Sequence, residues 1–325
     1  MSDFSSFYED RLMPLIDSLQ GEKKNIQKKY FRYLVLPFLI LLLIVLFLAR
    51  SSLQPSFIFF LFFIFVFVAA IVHIKISGPY MEKFKNTIIS ELIKYVHEGL
   101  VYDHKKYIPE SVFRESRLYE HRIDSYKGED YISGMIGKTW IEFSEIIARY
   151  KTETRTKNGT RTQWHTLFDG LFFVADFNKK FSSDLIVKPD IAERLFGRFG
   201  QKLQKLNVFQ HGELIEMENP EFEKVFKVHG TDQREARYIL TPALMEKILN
   251  LNDKIKKKIN QDISLSFINS KLYIAVPLST DLFEPRIFGK EVVKAEDIFE
   301  YYSYIKLMAG IVEDLDLNTR IWTKM

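Results

Sequence analysis

Two long stretches break an otherwise mixed pattern of polar and apolar positions. No charged residue occurs from Tyr33 to Ala49, and none from Ser51 to Ile74. The first stretch holds the apolar run Leu34–Leu48; the second, Phe57–Ile74, is as apolar and dominated by phenylalanine. Each is close to the ~20 residues that a helix needs to cross a ~30 Å hydrocarbon core. Fourteen residues of the first run, at roughly −0.4 kcal/mol each, favour the bilayer by on the order of 5 kcal/mol. Both runs are apolar on every face rather than along a stripe, which argues against a buried soluble hairpin. Pro37 falls in the first turn of its span, where a helix best tolerates it. The connection Arg50–Ser56 is short and turn-rich, so the two helices are antiparallel neighbours. The first run starts too far into the chain and lacks a small-residue cleavage site, so it does not read as a signal peptide.

Outside these runs the pattern becomes amphipathic. Phe4, Tyr8, Leu12, Leu15 and Leu19 repeat at helical spacing, and so do Met81, Phe84, Ile88, Leu92, Tyr95 and Val96 after a break at Gly78-Pro79. These two helices are expected to pack together or onto the rest of the chain, with a stalk for assembly as the sharper reading. From about 100 to 190 the period shifts towards two. Thr139–Tyr150 and Thr162–Phe177 read as long strands around Asn158-Gly159, a strong hairpin signal because both residues tolerate positive φ. Beyond 190 the pattern predicts a helix at 190–204, strands near 208–217 and 222–229, and a helix from Thr241-Pro242 to about 258. A hairpin follows around Asn269-Ser270, and a last helix runs from about 295 to 315. Strands and helices do not alternate as crossover units would. The fold class is therefore α+β: a transmembrane helical hairpin, then a soluble domain of antiparallel sheet and packed helices. The expected segments are 1–32, an amphipathic helix; 33–76, the hairpin; 77–100, a membrane-proximal helix; and 101–325, the soluble domain, with 101–205 and 206–325 as its candidate halves.

Charge follows the same division. Residues 1–75 hold eight basic and five acidic side chains, whereas the remainder holds 38 against 37. A near-neutral domain gives no footing for nucleic acid, which asks for a basic patch. The surplus flanks the membrane: Lys23, Lys24, Lys28, Lys29 and Arg32 precede the first span, and Lys75, Lys83 and Lys85 follow the second, while the connection has only Arg50. By the positive-inside rule both termini are cytoplasmic, with a periplasmic domain as the alternative. There is no cysteine, which removes disulfides, zinc-thiolate sites, iron–sulfur clusters and thiol nucleophiles and fits a reducing compartment.

Candidate chemistry is sparse. Gly134-Met-Ile-Gly-Lys-Thr139 imitates a phosphate-binding loop but lacks the glycine at 132 and leads into a strand, so it reads as a β-turn. Asp314-Leu-Asp-Leu-Asn318 imitates the start of a calcium loop but has Thr319 at the glycine place and Met325 at the glutamate place. The seven histidines form no ligand pair, and no metal or other cofactor is expected. Glutamates between Glu213 and Glu223 could supply an acid/base pair, with a solvated acidic face as the default reading. The densest polar cluster is Asp232-Gln-Arg-Glu-Ala-Arg-Tyr238, with the spacing of a capping box. Asp232, Arg234, Glu235 and Arg237, with Arg320 and Trp322, are the candidate contact surface.

Four segments carry a family resemblance: Phe4–Leu15 (FSSFYEDRLMPL), Phe168–Lys179 (FDGLFFVADFNK), Glu218–Leu240 (ENPEFEKVFKVHGTDQREARYIL) with the following TPALME, and Asp314–Lys324 (DLDLNTRIWTK). The chain resembles the bacterial membrane proteins grouped as domain of unknown function 3137. The resemblance implies a bacterial inner-membrane protein with an N-terminal hairpin, brings no activity, cofactor or catalytic residue, and suggests a LemA-like membrane protein as partner. The expected function is a membrane-anchored, non-enzymatic binding or scaffold module, acting through such a partner or as a homo-oligomer in the lipid bilayer. The alternatives are a membrane-proximal hydrolase using carboxylates of Glu213–Glu223 or Asp232–Arg237, and a lipid or envelope-state sensor using the basic flank.

Overall fold

A computed structural model describes residues 2–48, 55–156, 159–190, 212–278 and 282–318. The chain divides into two compact units: residues 1–92 with 283–303, and residues 93–282 with 304–325.

In the first unit, helices α1 (Ser2–Phe7), α2 (Met13–Tyr30) and α3 (Leu36–Leu48) follow one another through π-helical turns at Tyr8–Leu12 and Phe31–Val35. Helix α4 (Pro55–Phe84) continues through a third such turn, Lys85–Ile89, into α5 (Ser90–Val96). Both helical stretches are long and apolar enough to cross a membrane, and only 6% and 0% of their most apolar windows is buried. A core helix of a soluble protein would be mostly buried.

The two stretches run antiparallel in one constant register. Arg11 pairs with Glu91 at 3.3 Å, Glu22 with Lys83, Tyr30 Oη lies 2.7 Å from His73 Nδ1, and the rings of Phe38 and Phe65 lie 5.3 Å apart. Each step down one helix is thus matched by a step up the other, from the polar part into the apolar part. The amphipathic helices do pack together: Leu12, Ile16, Leu19 and Ile26 are buried on one side, Tyr80, Phe84, Ile88 and Leu92 on the other. Ile16 takes the place expected for Leu15, which is only half-buried, because the π-turn at Tyr8–Leu12 shifts the phase of the stripe.

The expected break at Gly78-Pro79 is absent, and α4 runs through it. Pro79 cannot donate to the carbonyl four residues back, but that alone does not end a helix whose neighbours are held by packing. Ser77 Oγ donates to the His73 carbonyl at 2.8 Å, and Tyr80 and Phe84 anchor the following turn in the interior.

The second unit is built on a nine-stranded antiparallel sheet. Its strands are β1 (Leu100–Asp103), β2 (Ser125–Ile136), β3 (Thr139–Thr156), β4 (Gly159–Asp176), β5 (Leu185–Pro189), β6 (Glu213–Ile215), β7 (Phe226–Gly230), β8 (Ser264–Ile268) and β9 (Lys271–Pro277). The order across the sheet is β1-β2-β3-β4-β9-β8-β5-β7-β6. The β3–β4 hairpin has the expected position, closing at Thr156 opposite Gly159. Its outer half, beyond Arg149, pairs with no third strand among the described residues. The β8–β9 turn also forms as expected, with positive φ at Asn269 and Ser270. Gly137 turns β2 into β3 at φ +60°, so the phosphate-loop lookalike is a β-turn.

One face of the sheet carries Ile146, Ala148, Phe172, Val174, Tyr273, Ala275, Ile268 and Ile186, covered by Ile108, Phe113 and Leu118. Phe113 lies on a short helix, α6 (Glu110–Glu115), which the period-two pattern of this region hid. Its ring packs 4.9 Å from Phe172 and 5.3 Å from Tyr119. The alternate residues Phe173, Ile274, Leu265, Val187 and Val228 face the other way and are buried too, so both faces of the sheet are covered.

The strand expected at 222–229 is corrected to helix α7 (Pro220–Val225) followed by β7. Asn219 caps that helix, accepting from the N–H groups of Glu221 and Phe222, with Pro220 at the first helical position. Helices α8 (Gln233–Ile239), α9 (Pro242–Ile259) and α10 (Ala295–Asp314) complete the described residues. The N-caps Asp232 and Thr241 are those expected. The helix expected at 190–204 lies outside the described residues.

Candidate functional site

The polar cluster at the start of α8 serves the backbone first. Asp232 accepts from the N–H groups of Arg234 at 2.7 Å and Glu235 at 3.1 Å, and those donors hold its carboxyl below the usual range. Glu235 does not complete the capping box. It turns to the β4–β5 connection and accepts from Ser183 N at 2.6 Å and Ser182 N at 3.1 Å; the Ser183 side chain, then these backbone groups, lower its pKa as well. A general acid needs the opposite shift. Arg234 and Arg237 are exposed, and Arg237 approaches Glu218 only to 3.9 Å. Arg320 and Trp322 lie outside the described residues. Of the candidate carboxylates further back, Glu223 accepts from Met217 N at 2.7 Å and Glu221 pairs with Lys224 at 2.6 Å.

Next to this cluster the structure forms a cleft that the sequence did not reveal. It is lined by Phe177, Asn178 and Lys179 after β4, by Thr241, Leu244 and Lys247 at the start of α9, and by Leu315–Leu317 after α10. All of these but Lys247 are parts of three of the four segments that carry the family resemblance, brought together from positions far apart in the chain. Asn178 Nδ2 donates to the Leu317 carbonyl, and Lys247 pairs with Asp316, so the lip is stitched across. Lys179 Nζ donates to the Tyr238 carbonyl at 3.0 Å and lies 5.0 Å from the Tyr238 ring. Burial lowers its pKa.

The cleft measures about 120 Å³, well under the ~300 Å³ at which small-molecule sites begin. Its size suits one apolar side chain of a partner. Beside it, a more open groove of about 400 Å³ is lined by Asn250, Asp253, Lys254, Lys257 and Asp314, where Lys254 and Asp314 pair at 2.6 Å. The carboxylates of the calcium-loop lookalike, Asp314 and Asp316, are thus turned to lysines. Among the described residues no group of three or more metal-ligating side chains occurs.

The basic flank divides. Lys24, Lys28, Lys29, Arg32 and Lys75 are exposed. Lys23 is corrected: it is buried and donates to the Glu291 carbonyl, because it occupies a position of the buried face of α2 between Leu19 and Ile26. Desolvation lowers its pKa. Lys83 and Lys85 are likewise engaged, with Glu22 and Glu284.

No curated protein and no solved structure matches the chain. Residues 166–317 match the family described as Protein of unknown function (DUF3137). That segment, just under half of the chain, holds the second and third of the resembling segments, the start of the fourth and every residue lining the cleft; over it the chain is similar to that family.

Proposed function

We propose that the protein is a membrane-anchored, non-enzymatic module that binds a protein partner or a second copy of itself. The observation that carries the anchoring is the antiparallel helix pair. Its register holds from charged pairs into a stretch whose leucine and phenylalanine side chains face outward, with Phe47 and Phe67 76% and 69% exposed. Such a surface suits lipid and not water. The side-chain-sized cleft and the charged groove beside it support binding. The hydrogen bonds that occupy Asp232 and Glu235 favour a structural role for these two carboxylates over that of a general acid.

The resemblance supports the bacterial inner membrane as that bilayer, and the lysines and arginine before α3 and at the C-terminal end of α4 support a cytoplasmic position for both termini. A LemA-like membrane protein or a second copy is the partner to look for; nucleic acid is not. Chemical crosslinking in native membranes, followed by detergent extraction and mass measurement, tests the reading. The expected outcome is one discrete crosslinked species that weakens with Leu244→Arg, which fills the cleft with charge. A strictly monomeric protein with no enriched partner contradicts it.

A further inference from the structure

The segment Phe283–Ser303 belongs to the first unit, where it runs antiparallel along α1 and α2. The Phe4 ring stacks on Tyr302 at 4.3 Å, Gln20 Nε2 donates to the Lys290 carbonyl at 2.7 Å, and Lys23 donates to the Glu291 carbonyl. Gln27 Nε2 donates to the carbonyls of Ile287 at 3.2 Å and Gly289 at 3.0 Å. Finally, the Phe288 ring meets the edge of Tyr30 at 5.2 Å. From residue 4 to residue 30 a helix advances about 39 Å, so this segment descends the stalk and ends level with the Tyr30–His73 contact. That contact lies where the charge-free runs begin and end.

Residues 286–292 form a closed loop at that level. Arg286 N–H donates to the Val292 carbonyl at 2.9 Å, and the Arg286 guanidinium forks onto Asp297 at 2.8 and 3.1 Å. Gly289 adopts φ +102°, a conformation that glycine takes without strain. The polar side chains of α2 hold the loop by its carbonyls, and its one aromatic residue, Phe288, stays 64% exposed while Ile287 beside it is half-buried. On the same unit and within about one helical turn of the level of Tyr30, Phe31 and Tyr33 are exposed, and so are Lys28, Lys29, Arg32 and, near His73 in sequence, Lys75; Lys290 in the loop is exposed too. Aromatic rings among lysines and arginines are the composition of the headgroup layer.

We propose that the 286–292 loop is a lipid-contacting foot: Phe288 inserts at the boundary between headgroups and acyl chains of the bilayer that α3 and α4 cross. This rests on the reading of those helices as membrane spans. A third, non-spanning contact beside the hairpin sets how the stalk meets the bilayer, and it makes the loop the part of this unit that senses the lipid surface.

The absence of cysteine makes the test direct. Single variants Phe288→Cys, Leu43→Cys in α3 and Asp17→Cys, about 20 Å up the stalk from Tyr30, carry an environment-sensitive fluorophore. The full chain is reconstituted in mixed phosphatidylcholine and phosphatidylglycerol vesicles containing lipid brominated at shallow or deep acyl positions. The label at 288 is expected to shift to the blue and to lose more emission to shallow than to deep bromines, the label at 43 to be quenched, and that at 17 to be unaffected. Quenching at 43 without quenching at 288 overturns the foot and leaves the anchoring intact. Quenching at neither overturns both, and equal quenching at 288 and 17 overturns the foot.

Discussion

At the residue scale, burial of charge is selective. Lys188 on β5 lies over the ring of Tyr119 at 5.9 Å, and burial pushes its pKa down to about 8, with Glu120 opposing the shift. His229, on the neighbouring strand, is lowered by burial and by Lys188. A lysine whose folded pKa is depressed loses protons before its unfolded counterpart does. The unfolded chain therefore binds more protons between pH ~8 and ~10.4, and stability rises with pH across that window. Thermal melts should show the parent protein gaining on Lys188→Met between those pH values, by about 2–4 °C; parallel curves would count against a charge cost at this site. None of this was legible in the sequence, where Lys188 is one lysine among many. Asp232 was legible, because a cap acts through residues two and three positions away. The destination of Glu235 was not, since Ser182 and Ser183 lie some fifty residues back.

At the scale of elements, the long features were readable and the short ones were not. The hairpins at Gly159 and Asn269-Ser270, the Thr241-Pro242 helix start and both apolar runs follow from local chemistry. Helix α6 is hidden among strands, and α7, six residues long, depends on the Asn219 cap and Pro220 rather than on any helical period. Gly78-Pro79 misled because tertiary packing of Tyr80 and Phe84 outweighs the lost hydrogen bond. Phe113 shows what a six-residue helix contributes: it is 1% exposed and touches four other aromatic rings. Phe113→Ala is expected to cost about 3–5 kcal/mol, read as a fall in the denaturant midpoint. A loss under about 1 kcal/mol would mean that the cover over this sheet face is not held by Phe113.

At the scale of the whole molecule, the antiparallel helix pair has a polar part and an apolar part whose surface suits lipid. Its outer part is held by Arg11–Glu91 and Glu22–Lys83 and by a buried stripe, its inner part by apolar rings such as Phe38 and Phe65. The sequence announced the spans but not the segment 283–303 that returns to them, because a contact across some 260 residues leaves no local period; a lysine inside the apolar stripe at Lys23 was its one trace. Two membrane crossings predict that a label at position 52 reacts from the side of the membrane opposite to a label at Lys24 on α2. A membrane-impermeant maleimide applied to intact cells carrying Ser52→Cys or Lys24→Cys decides this. Ser52→Cys is expected to be labelled at once and Lys24→Cys only after permeabilisation. Labelling of both positions from the same side would contradict it.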